Sequence, residues 1–399
     1  MERIHPPMFN SIELTKTKLK RTILMDELAH SLDTTANTDN NVTISSHSMK
    51  TEWDTVVLDQ TAHQITLNFS DGITKQFSVA PNTSILDAAL ENDIPVLYQC
   101  RSGSCSSCLC TINEGDTSTL EGESLTLLPS EYSLGHRLLC VSQAHSDCNF
   151  DVAYSSEVGA LSAKEAKVFI DSIEYLGSHT IRLIVELAAG YSMNFKSGQF
   201  MQINVPGVGS VRSYSPSSTA QALPKMEFLI RLIPDGVMST YLEDRAEIDH
   251  VLTLTGPYGS FFLREEHKRA PHIFVAGGTG LAPILSIVDT LRQSSGIKPK
   301  MLLSFGCATP DALFCIEDIE LREQWLPTLE TRICVDREAT EVHYLGNPVS
   351  PLQQSDVTDP NTVAYLCGPQ PMIDAATTRL RALGVKAENI FAEQFVASH

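Results

Sequence analysis

Cys100, Cys105 and Cys108 stand at the spacing C-x4-C-x2-C, and Cys140 follows at a distance. Thiolates spaced in this way hold a [2Fe-2S] cluster, so the pattern points to one-electron chemistry. Gly103, with Ser102, Ser104, Ser106 and Ser107, lets a short loop wrap a cluster and aim amides at sulfur. Such hydrogen bonds tune a reduction potential. A structural zinc knot is the competing reading, but it usually brings paired C-x2-C units, and only one such pair is present. Cys110 and Cys148 are close enough to compete as ligands, and chemistry alone leaves the third and fourth ligands open.

Five more segments could bind or react with a redox cofactor. In Arg212-Ser213-Tyr214-Ser215, a Tyr can stack on a flavin face, an Arg can neutralise a pyrophosphate and a Ser hydroxyl can reach flavin N5. Alone, an Arg and a Tyr on a strand are more often a solvated edge. Gly236-Val237-Met238-Ser239-Thr240 opens a helical stretch toward Arg245, offering free amides and a positive dipole end to phosphate, although it reads equally as an ordinary N-cap. Gly256-Pro257-Tyr258-Gly259-Ser260-Phe261 follows and strengthens the combination. Gly277-Gly278-Thr279-Gly280 removes side chains where a nucleotide would approach the backbone, without forming the G-x-G-x-x-G fingerprint. Cys367-Gly368-Pro369-Gln370-Pro371-Met372 closes a strand, at the carboxyl end where open α/β sheets bind ligands. A small buried cysteine is its plain alternative.

The elements that must position these residues fall into three blocks after an atypical start. Residues 1–55 include a Thr/Asn/Ser-rich stretch from Thr34 to Ser48 with little aliphatic pattern, and read as a disordered tail. Residues 56–155 read as a small β-rich domain. Strands run through Gln64–Phe69 and to Val79 around an Asp71-Gly72 turn, and a helix from Ser84 to about Asn92 is capped by Thr83 or Ser84. The cysteine loop comes next, then a strand over Leu109–Asn113, and Arg137–Val141 returns the last cysteine. Residues 163–266 carry strand-like runs such as Val168–Ile173, Thr180–Leu187, Gln199–Val205 and Met226–Leu232, which suggest an antiparallel barrel. Residues 268–399 alternate strand and helix, with strands at His272–Ala276, Met301–Phe305, Thr331–Val335 and Val363–Cys367, and read as a doubly wound parallel sheet.

Composition narrows the functions available. The chain has 399 residues, too many for one ordinary core. A formal net charge of -19 argues against nucleic acid as partner and fits a basic protein instead. No run of about 18 apolar residues and no signal-like segment is found, so no membrane contact and a cytoplasmic location are expected. Ten cysteines then read as ligands and free thiols. Cys307, Cys315 and Cys334 read as core or surface thiols.

The residues from about 60 to 155, with the Cys100–Cys108 loop, resemble the β-grasp fold of plant-type ferredoxins. Arg212-Ser213-Tyr214-Ser215 is similar to the R-x-Y-S flavin motif of the ferredoxin-NADP reductase superfamily, and Cys367 to Met372 to its C-G-P-x-P-M nicotinamide motif. The order of the three blocks resembles the reductase component of bacterial aromatic-ring-hydroxylating dioxygenases, of the benzoate and anthranilate dioxygenase type. It departs in Pro216, where an aromatic is common, and in the extra N-terminal tail. The resemblance implies FAD, NADH and a [2Fe-2S] cluster as cofactors, a terminal oxygenase as partner and a monomer. It implies Cys100, Cys105, Cys108 and Cys140 as iron ligands and Ser215, Cys367 and Glu393 around the hydride path. It also implies cofactor contacts from Arg212, Tyr214, Gly236, Met238, Ser239, Thr240, Gly277, Gly278, Thr279, Gly280, Gly368 and Pro369. Phe395 would cover the flavin or simply pack the tail. Two other readings stand beside it: a reductase for a diiron monooxygenase or deoxysugar dehydratase, and a redox-sensing or interaction protein without turnover.

Overall fold

The computed structural model describes residues 62–98, 101–103, 107–120, 127, 129–159 and 163–395. The tail reading for residues 1–55, and Cys100 and Cys105, lie outside the described residues.

Alternation builds the first sheet. In strand His63–Phe69, Ile65, Leu67 and Phe69 are buried while the residues between them face outward. The strand forms an antiparallel hairpin with Thr74–Val79 and runs parallel to Cys148–Val152. Leu109–Glu114 and then His136–Leu138 complete the five-stranded sheet. Helix Ile85–Glu91 starts at Ser84, whose hydroxyl accepts the Asp87 N–H at 3.0 Å, so Ser84 rather than Thr83 is the cap. Ile85, Leu86, Ala88 and Ala89 turn one face of this helix into the core.

Six antiparallel strands make the second sheet, in the order Val211–Tyr214, Phe200–Asn204, Val251–Tyr258, Lys164–Leu176, Thr180–Leu187, Lys225–Arg231. An isolated bridge from Pro216 to Phe228 joins the two edges, which makes the sheet a barrel and removes its open edge. Helix Val237–Asp244 packs Met238, Tyr241 and Leu242 into the barrel core.

The last sheet is parallel throughout, ordered Tyr344–Leu345, Leu329–Val335, Met301–Cys307, His272–Gly277, Val363–Gly368, Ile390–Gln394. The chain fills one side of His272–Gly277 and then returns to the other, so strand order reverses there. That reversal opens a crevice at the carboxyl ends of His272–Gly277 and Val363–Gly368. The Gly277–Gly280 turn and the Cys367–Pro369 turn are the residues that border it.

Because Phe150 is fully buried in the core of the first domain, Phe150→Ala should cost about 3–5 kcal/mol. Calorimetry and absorption spectra should show that domain lost while the flavin spectrum survives.

Candidate active site

Two distant segments meet at the crevice. Ser215 is buried at the end of strand Val211–Tyr214, and its Oγ donates to Glu393 Oε2 at 3.3 Å. Glu393 lies on the edge strand Ile390–Gln394, directly opposite Cys367 of the neighbouring strand. Burial, opposed by the Ser215 hydrogen bond, pushes the Glu393 carboxyl up to about 8. Glu393 therefore holds a proton at neutral pH. Cys367 is fully buried, and burial, then the nearby Glu393, raises its thiol well above the ordinary range. It is a neutral thiol and not a nucleophile.

The flavin motif sits on the barrel rim. Tyr214 packs against the barrel core, and burial raises its phenol. Arg212 shares the strand face with Tyr214 by the two-residue period. Its guanidinium bonds only the Val211 carbonyl, at 3.0 Å, among the described residues. Helix Val237–Asp244 begins at Gly236, and Thr240 N–H donates to Gly236 O at 2.8 Å. The amides before Thr240 have no acceptor within the helix. Met238 and Ser239 are committed elsewhere by their side chains. Met238 fills the barrel core, and the Ser239 hydroxyl accepts the Ile233 N–H at 2.8 Å. Any contact they make with a phosphate is through the backbone. An unpaired cation, an aromatic ring, a buried hydroxyl and a free helix start fit an FAD.

The nucleotide turns are shaped for close approach. A Cβ on Gly280 would collide with the Cys367 carbonyl, and one on Gly277 would stand 2.8 Å from Met372 Sδ and 3.0 Å from Pro369 Cδ. Gly278, at φ +54°, faces open space. Thr279 lies between them, half-buried. Gly368 O accepts the Phe395 N–H at 3.0 Å, and Phe395 packs partly against the nucleotide-domain core. These features fit a nicotinamide nucleotide. Asp311 turns its carboxylate to Thr309 and Ser178, which hold it below its usual range.

In the first domain, Cys108 and Cys140 come together across 32 residues, and the Cys140 N–H donates to Cys108 Sγ at 3.5 Å. An amide aimed at sulfur is what a cluster thiolate requires. The competing thiols are engaged with backbone carbonyls. Cys110 donates to Arg137 O at 3.4 Å, and Cys148 donates to Ser146 O at 3.2 Å. Arg101, next to the cysteine loop, has φ +56° and pairs with Asp87 of the first helix.

Sequence reading passed over Phe200, Tyr258 and Gly259 as site residues. Phe200 and Tyr258 stack at 5.7 Å, and Gly259, at φ +92°, fits between Phe200 and Glu393. A Cβ there would lie 2.9 Å from Phe200 and 3.5 Å from Glu393 Oε1. The Gly-Pro-Tyr-Gly-Ser-Phe run was the only signal for Tyr258 and Gly259, and Phe200 had none.

This geometry defines a flavin- and nicotinamide-dependent reductase joined to a ferredoxin domain. Comparison with known proteins agrees. Models of a 2Fe-2S iron-sulfur cluster binding domain, an oxidoreductase FAD-binding domain and an oxidoreductase NAD-binding domain match residues 68–145, 167–263 and 274–378. The toluate 1,2-dioxygenase electron transfer component of Pseudomonas putida is 30% identical over 339 residues, covering 84% of this chain and 99% of that protein. The propane 2-monooxygenase reductase component of Rhodococcus jostii is 30% identical over 353 residues, covering 85% and 93%. The solved ferredoxin reductase in carbazole 1,9a-dioxygenase superposes with TM-score 0.58 at 24% identity, over 84% of this chain and 99% of that one. The chain belongs to the family of iron-sulfur flavoprotein reductases that serve as oxygenase electron-transfer components.

Glu393 yields a pH test. Below about pH 4.5 the group is protonated folded and unfolded, and contributes nothing to pH dependence. Between 4.5 and about 8 the unfolded chain releases a proton that the folded chain keeps, so stability falls as pH rises. Above that the cost is constant. Glu393→Gln should remove this slope in denaturant titrations, and should also remove an inflection near pH 8 from NADH–ferricyanide turnover. Unchanged profiles in both assays would reject the assignment.

Proposed function

We propose that the chain is the NADH-oxidising reductase component of a multicomponent oxygenase, passing electrons to a Rieske-type ring-hydroxylating partner. The meeting of Ser215, Glu393 and Cys367 at the strand-order reversal is the observation that carries this reading. Bound FAD supplies the chemistry that accepts a hydride and releases electrons singly, which a one-electron [2Fe-2S] centre requires.

The residues divide the work. Arg212 and the helix start at Gly236–Thr240 bind pyrophosphate charge, and Tyr214 holds the ring system against the barrel rim. Ser215 Oγ and the protonated Glu393 carboxyl hold a proton beside the reacting position. Gly277, Gly278, Thr279 and Gly280, with Gly368 and Pro369, admit the nicotinamide nucleotide, and Cys367 forms the wall behind it. Phe395 covers the crevice mouth and excludes water. Cys100, Cys105, Cys108 and Cys140 would hold the cluster. The monooxygenase relative supports a second reading, in which the acceptor is a diiron hydroxylase.

The partner surface is argued from charge. Residues 56–155 carry twelve Asp or Glu against Lys75, Arg101 and Arg137. A surface of one sign beside a redox centre steers a basic partner, by roughly tenfold or more at low salt.

Cys105→Ser should abolish reduction of the oxygenase while leaving NADH–ferricyanide activity, whereas Cys367→Ala should slow flavin reduction. Loss of the same half-reaction in both variants would contradict this division. Electron delivery to an added Rieske oxygenase, but not to a diiron hydroxylase, should be fast and should slow as salt rises. The opposite preference would establish the second reading, and indifference to salt would remove charge from recognition.

A further inference from the structure

The chain leaves the barrel at Tyr258 and enters the nucleotide domain at His272. Between them Phe261, Phe262, Leu263 and Arg264 are buried, at 4%, 3%, 4% and 5% exposure. Their side chains alternate between two cores. Phe261 and Leu263 join the nucleotide-domain core with Phe274 and Tyr365. Phe262 joins the cluster-domain core with Cys108, Cys110, Phe150 and Tyr154, and it is the one residue of that core, among the described residues, from outside positions 65–158.

The segment is pinned from both sides. Phe261 meets Tyr365 edge-on at 5.6 Å. The Tyr365 hydroxyl donates to Phe262 O at 3.4 Å and accepts the Arg264 N–H at 3.3 Å. The Arg264 guanidinium lies 3.9 Å from the centre of the Phe262 ring and 5.4 Å from that of Phe391, and its Nη2 donates to Ser260 O at 2.8 Å. Its Nε and Nη1 have no partner among the described residues. A buried guanidinium without a carboxylate is costly, and here it is held by aromatic faces and one carbonyl.

Three residues before Phe262, Gly259 borders Glu393 and Phe200. Three extended residues span at most about 11 Å. The backbone therefore limits how far the nucleotide crevice can lie from the core that contains Cys108.

We propose that Phe262, clamped by Arg264, is the positioning residue for electron transfer between the two halves of the protein: it plugs the cluster domain onto the reductase and fixes the gap that each electron crosses. The inference rests on the proposed function, in that one electron passes from reduced flavin to oxidised cluster with no bond made or broken. It adds the residue that sets the distance.

The test uses the full-length holoprotein carrying Phe262→Ala, Phe262→Leu or Arg264→Met. Stopped-flow mixing with NADH, without oxygenase, follows flavin and cluster absorbance separately. Phe262→Ala should slow cluster reduction by about tenfold or more while flavin reduction stays within about twofold. Phe262→Leu should restore most of the rate, and Arg264→Met should fall between. Calorimetry should show the cluster domain of Phe262→Ala melting apart from the reductase, where the unsubstituted protein melts in one transition. The electron paramagnetic resonance signal after dithionite should be unchanged, showing that the cluster is retained. Cluster reduction as fast in Phe262→Ala as in the unsubstituted protein, or equal slowing of both steps, would overturn the inference. If Phe262→Ala does not fold, the same two criteria apply to Phe262→Leu and Arg264→Met. Absence of cluster reduction in the unsubstituted protein would instead reject the function on which the inference rests.

Discussion

The hydrogen bond from Ser215 Oγ to Glu393 Oε2 spans 178 residues of sequence and ties the barrel to the nucleotide-binding sheet. Ser215 is buried and Glu393 half-buried, and the carboxyl responds to desolvation by keeping its proton. A charged Glu393 at this place would face the buried thiol of Cys367. The carboxyl thus keeps its proton in contact with a hydroxyl at the end of strand Val211–Tyr214.

That contact depends on close backbone approach more than on attractive side chains. Gly280 lies against the Cys367 carbonyl, Gly277 against Met372 and Pro369, and Gly259 against Phe200. A methyl group at any of these positions would push apart elements that meet at the crevice, because interiors are close-packed and yield little. The parallel register does the rest. Cys367 faces Glu393 because Val363–Gly368 and Ile390–Gln394 pair in step from Ala364 and Ile390 onward. A slip of one residue would turn Glu393 away from the site.

The same economy governs the junction of the domains. One short segment alternates its side chains between two cores, as an extended chain must. The domains are thus joined by packing as well as by the peptide chain.

Much of the protein was legible from its residues. The cysteine spacing pointed to cluster chemistry because a cluster needs thiolates at fixed local separations, and the Arg-x-Tyr-Ser motif and the Cys-Gly-Pro turn carried the resemblance that implied flavin and nicotinamide. Strand Thr180–Leu187 and the helix cap at Ser84 followed from local pattern for the same reason. Tertiary structure decided what local pattern does not encode. It gave the thiols of Cys110 and Cys148 carbonyl partners, Arg137 and Ser146, and set the Cys140 amide against Cys108 Sγ. It turned the side chains of Ser239 and Met238 inward, and engaged Asp311 with the barrel. It also gave Phe262 and Arg264 a role that their types do not announce, since a phenylalanine reads only as core until the sheet order shows whose core it enters.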